Sequence, residues 1–74
     1  MKKQKRITLY KKIWCKIRYW QSLNDVPNEE LARILCVSPR TLLSYDKNAE
    51  NITLKTIDNF LLTTNMDFGV LYNL

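Results

Sequence analysis

The segment Val26 to Tyr45, VPNEELARILCVSPRTLLSY, constrains this chain more than any other stretch. It holds two short apolar-periodic runs, Leu31-Ala32 with Ile34-Leu35 and Leu42-Leu43 with Tyr45, separated by Cys36-Val37-Ser38-Pro39. That spacing leaves room for one tight corner and none for a strand. Apolar positions three and four apart mark one face of a helix. The stretch therefore predicts two helices, about 28–35 and about 39–46, joined by a turn of three or four residues. Pro27-Asn28 opens the first, with Glu29 and Glu30 where carboxylates complement the positive end of the helix dipole. Leu31, Ile34 and Leu35 form its buried edge, and Val37 is buried at the corner. Ser38 caps the second helix, and Pro39 takes its first position, where the missing N–H costs nothing. Leu42 and Tyr45 point inward.

The same period runs through the rest of the chain. Tyr10, Ile13, Ile17 and Trp20 line one face of a first helix that starts at a Thr8 cap and fades over Ser22 to Asp25. Leu9, Trp14 and Tyr19 fall off that stripe, with Trp14 expected in the core. Ala49 to Ile52 is a loop. Thr53 caps a fourth helix with Leu54, Ile57, Phe60 and Leu61 inward, and Asp67 caps a short fifth carrying Phe68, Val70 and Leu71. Asn48 and Asn65 stand as left-handed stops after the third and fourth helices. The expected architecture is all-α, a compact five-helix bundle over residues 8–74, preceded by a flexible basic arm at 1–7. A core in 74 residues supplies only about 3–5 kcal/mol, so association would be a useful supplement.

The net charge of +5 is unevenly spread: the first eighteen residues carry +8 and the remainder −3. A basic arm on a near-neutral to acidic body favours a polyanion, because each neutralised phosphate releases condensed counterions. A merely solubilising charge run is the alternative. Cys15 and Cys36 lack CxxC spacing and have no histidine beside them, so two buried free thiols in a reducing cytoplasm are expected, with a disulfide as the alternative. No apolar run approaches the ~20 residues that span a bilayer, and the basic start lacks the apolar stretch of a secretory signal. A cytoplasmic protein without membrane contact is expected. The sequence holds no clustered metal ligands, no glycine-rich phosphate loop and no nucleophile with a visible base. That predicts no enzyme, no metal, no cofactor and no small-molecule ligand.

From Pro27 to Leu71 the chain resembles the Cro/lambda-repressor-type helix-turn-helix family, also called XRE-like. The resemblance rests on Glu30-Leu31-Ala32 with Leu35, Val37-Ser38, Leu42, Tyr45-Asp46, Thr53-Leu54 with Ile57, and Asp67-Phe68 with Leu71. It needs no gap. Where the family usually has glycine, this chain has Cys36, Asn48 and Asn65. Asparagine tolerates a positive φ, whereas Cys36 would carry roughly 1 kcal/mol of strain at a left-handed corner. The loop Ala49-Glu50-Asn51 is neutral to acidic where the family is often basic, and the amino-terminal extension is longer and more basic than the family needs.

The resemblance implies a sequence-specific DNA-binding transcriptional regulator of phage or mobile-element type. Its third helix would lie in the major groove while the second crosses the backbone. The implied base-reading residues are Ser38, Pro39, Arg40, Leu43 and Ser44. Arg40 could donate two bonds to guanine N7 and O6; its alternatives are a solvent-exposed arginine or a pair with Asp46. Leu43 could touch a thymine methyl or instead mark a protein interface. Asn28, Thr41 and Lys47 fall at phosphate positions, with plain N-capping the other role for Asn28. Lys2, Lys3, Lys5 and Arg6 would reach a neighbouring groove as an arm, while Lys11, Lys12 and Lys16 could be a solvated helix face. The implied partners are double-stranded DNA and a second copy in a homodimer. Tyr72 and Leu74 are its candidate contacts, unless they close the core beneath the first helix. Repression by occlusion is expected rather than activation. The competing reading is a protein-interaction module on the same fold, such as an antirepressor, inhibitor or antitoxin.

Overall fold

Hydroxyl caps set the start of three helices. The structure, a computed structural model, describes residues 6–74. Among these the chain forms α1 (Leu9–Leu23), α2 (Asn28–Leu35), α3 (Pro39–Lys47), α4 (Leu54–Thr64) and α5 (Phe68–Tyr72), with no strand. The side chains of Thr8, Ser38 and Thr53 accept from the main-chain N–H of Lys11, Thr41 and Thr56 at 3.4, 3.2 and 3.1 Å. These bonds satisfy donors that a first helical turn leaves without partners. Pro27 and Asp67 hold the cap positions of α2 and α5 without a side-chain bond. The expected Asp67 cap is thus a matter of extended backbone and not of its carboxylate.

Three helices stop on residues with positive φ: Asp25 (52°), Cys36 (61°) and Asn65 (56°). After each, the next residue donates back to a carbonyl five positions earlier, Val26 to Gln21, Val37 to Ala32 and Met66 to Leu61, at 3.0, 3.0 and 2.9 Å. This left-handed stop satisfies the last carbonyls and folds the following apolar residue onto the core. Asn65 behaves as expected. Cys36 adopts the same conformation with a Cβ in the way, a strain that glycine lacks. Cys36→Gly is expected to raise the unfolding free energy by about 0.5–1 kcal/mol, read as a higher urea midpoint at unchanged slope. Asn48 corrects the sequence expectation, because its φ of −161° and ψ of 114° are extended. Its Oδ1 accepts the Glu50 N–H at 2.9 Å, so the side chain turns the chain where a left-handed backbone was expected.

The core is built from Ile13, Trp14 and Ile17 of α1, Leu31, Ala32 and Leu35 of α2, and Leu42 and Tyr45 of α3. Ile57 and Phe60 of α4, Leu71 of α5 and the loop residue Ala49 complete it. α2 packs against both α3 and α4, and α1 rests on α5. Trp14 meets Tyr45 edge-on with centroids 5.1 Å apart, and Trp20 meets Phe60 at 5.0 Å, the geometry that ring quadrupoles favour.

Two expectations are overturned. Leu54 is 84% exposed: the buried side of α4 is set by Ile57 and Phe60 with Leu61 packed against them, and Leu54, the first residue of the helix, stands at the edge of that side. Cys15 and Cys36 are free and both exposed. Cys15 stands two positions past Ile13, hence on the far side of α1, and at the corner it is Val37 that turns inward. None of the described helices is long and apolar enough to cross a membrane.

Candidate nucleic-acid interface

Leu42 and Tyr45, three residues apart and buried, pin one side of α3 to the core. That leaves Arg40, Leu43 and Ser44 on its outer side, with Ser38 and Pro39 at its start, and all five are exposed. Ser38 Oγ caps the helix and lies 2.9 Å from Thr41 Oγ1, so both hydroxyls are already engaged in the cap, and Thr41 is half-buried. Lys47 is exposed in the last turn of α3, where a cation complements the helix dipole. Arg6 is exposed; Lys2, Lys3 and Lys5 lie outside the described residues.

The position of α3 is held by a polar clasp from α1. Arg18 Nε and Nη2 donate to the two carboxylate oxygens of Asp46 at 3.0 and 2.7 Å, and Trp14 Nε1 donates to Asp46 Oδ1 at 2.8 Å. The guanidinium also sits 5.3 Å from the Trp14 ring centroid, an attractive cation–π geometry. Its Nη1 donates to Gln21 Oε1 at 2.6 Å and to Asn28 Oδ1 at 2.8 Å. Gln21, buried on α1, in turn donates to Asn28 Oδ1 and to the Val26 carbonyl, both at 2.9 Å. One arginine thus joins the start of α2 to the end of α3. The Arg18 hydrogen bond holds the Asp46 carboxyl below its ordinary value of 3.8, against the opposing effect of desolvation.

The clasp corrects two sequence expectations. Asp46 pairs with Arg18 and not with Arg40, and among the described residues Arg40 enters no ion pair. Asn28 does not cap α2: it is the first helical residue, and its carbonyl oxygen is turned to Arg18 and Gln21. Its amide NH2 remains as the outward donor. In the sequence Arg18 stands only as the last of the eight cations in the first eighteen residues. The available signal was Gln21, a polar residue four positions after Ile17 on the apolar stripe, which needs buried partners. Lys16, grouped with the solvated face, donates to the main-chain oxygen of Leu74 at 2.7 Å. Leu74 is packed against the core, and Tyr72 stacks on Phe68 with centroids 5.7 Å apart. Comparison with protein-family models, curated proteins and solved structures finds no match to this chain.

Proposed function

We propose that this chain is a sequence-specific DNA-binding regulator of the helix-turn-helix type, acting as a homodimeric repressor that lays α3 in the major groove and α2 across the phosphate backbone. The observation that carries the reading is the sidedness of α3. Leu42 and Tyr45 are buried, while Ser38, Pro39, Arg40, Leu43 and Ser44 are all exposed on a helix whose last turn is clasped to α1 through Asp46. Among the described residues Arg40 enters no ion pair, so its fork is available to guanine N7 and O6. The Asn28 amide and the uncapped start of α2 offer donors to a phosphate. Exposed Glu29 opposes an anion there, which makes the cations Lys47 and Arg6 the more important source of charge.

Binding to duplexes selected from a random pool, followed by fluorescence anisotropy at two salt concentrations, tests this directly. Retention should fall steeply with salt. Arg40→Ala should weaken binding by about 5- to 150-fold and relax preference at one base pair. A chain that selects no sequence, or whose binding ignores Arg40→Ala, is not a DNA reader. One observation favours the rival: Leu43 is 55% exposed on the reading face, and the loop that follows α3 carries the acidic Glu50. A protein-interaction module would use that leucine as an apolar anchor, and its binding would persist at high salt.

A further inference from the structure

Leu9, Leu54 and Phe68, the first residues of α1, α4 and α5, line one groove. Ile13, Ile57 and Leu61 complete its apolar wall, and Lys55 and Asp58 are its charged residues. α4 therefore carries an apolar stripe wider than the core covers. Ile57 and Phe60 enter the core and Leu61 packs against it, whereas Leu54, one turn before Asp58, is left in water at the edge of the stripe. The surface continues past Asp58, Leu61 and Phe68 to Leu62 and Val70, and Leu62 is 72% exposed. Phe68 is held at the rim by its stack on Tyr72, with planes 28° apart, so little side-chain freedom is left to lose on contact.

We infer that this face is the two-fold dimer surface and that its occupant is a second copy of the chain. A two-fold interface sets a patch against itself, so the patch must offer both signs of charge around its apolar centre. Lys55 and Asp58 do so, three residues apart on α4, and among the described residues neither enters an ion pair. With the axis across α4, each Lys55 meets the Asp58 of the second copy. A uniformly acidic or basic partner would leave one of the two charges opposed. A stable interface takes about 800 Å² from each partner, or about one-seventh of the 5518 Å² surface, so the contact must take in both the groove and the Leu62 and Val70 surface beside it. No residue of the groove belongs to α2 or α3, so association leaves the outer side of α3 open. The inference deepens the DNA reading by locating its dimer contact on α4 instead of on Tyr72 and Leu74, and rests on that reading only for this consequence.

Sedimentation equilibrium of the full chain without DNA, from about 10 µM to about 1 mM, is the test. The mass should rise toward twice that of the monomer. Leu54→Lys alters a side chain that the monomer leaves in water, so helicity by circular dichroism should be retained while self-association weakens at least about 10-fold. Lys55→Glu and Asp58→Lys should each weaken it, and the two together should restore it. Arg40→Ala should leave the mass unchanged, which separates failure of the DNA reading from failure of this one. A chain monomeric throughout, a dimer indifferent to Leu54→Lys, or a double reversal that restores nothing would each overturn the assignment. The monomeric outcome would give the face to a different partner.

Discussion

Phe60→Ala is expected to bring the chain to its unfolding midpoint at 25 °C. Phe60 is fully buried on α4 and meets the Trp20 ring edge-on at 5.0 Å. Truncating it removes the transfer free energy of the ring and leaves a cavity between helices that can close only partly. Such a change costs about 3–5 kcal/mol, and the edge-to-face contact is part of that sum. A domain of this size has a total stability of about the same 3–5 kcal/mol, so the single substitution consumes it. Far-UV circular dichroism at 25 °C should show about half of the helical signal gone. Phe60→Leu, which keeps more of the volume, should retain a cooperative transition with a Tm lower by about 5–10 °C. A Phe60→Ala variant that melts cooperatively near the parent temperature would show that the helices are held by something other than this core.

Asp46→Ala is the second large effect, with an expected loss of about 2 kcal/mol and a Tm lower by about 10 °C. The substitution strips the acceptor from the Trp14 indole and from two arms of the Arg18 guanidinium. The side chains of Arg18 and Asp46 are 25% and 41% exposed, so water replaces part of what is lost, and the ion pair itself is worth about 1 kcal/mol or less. The buried indole left without a partner supplies the remainder, about 1 kcal/mol. The same carboxylate makes stability depend on acid pH. The Arg18 hydrogen bond depresses its pKa below 3.8 in the folded chain, with the Trp14 hydrogen bond and the Arg18 charge acting in the same direction. Below 3.8 the unfolded chain therefore binds this proton more readily than the folded one. The contribution is fully present above 3.8 and is lost as pH falls through the depressed folded value. Urea midpoints measured downward from about pH 5 should fall for the parent, and Asp46→Asn should remove that share of the slope.

Much of the backbone was legible because its causes are local. Thr8, Ser38 and Thr53 start helices through bonds to N–H groups three residues on, and Asn65 stops one by taking a positive φ. The pairs Ile13 and Ile17, Leu31 and Leu35, and Leu42 and Tyr45 reveal the buried sides because a helix returns to the same side every three or four residues. Asn48 misled because its amide has two ways to end a helix, and sequence does not say which. Leu54 misled because it lies on the same apolar stripe of α4 as Ile57 and Leu61, and period alone does not say where along a stripe the core ends.

The candidate site divides along the same line. The outward register of Arg40, Leu43 and Ser44 follows from the burial of Leu42 and Tyr45, which periodicity already announces. The partner of Asp46 does not. Arg18 is 28 positions away, and any of several cations could have stood there. Helix positions, caps and one buried side per helix were thus determined by the order of residues, through interactions spanning five positions or fewer. Which charges meet and where the core ends along α4 were decided only when α1, α2, α3 and α4 packed together, because those outcomes depend on side chains far apart in the chain.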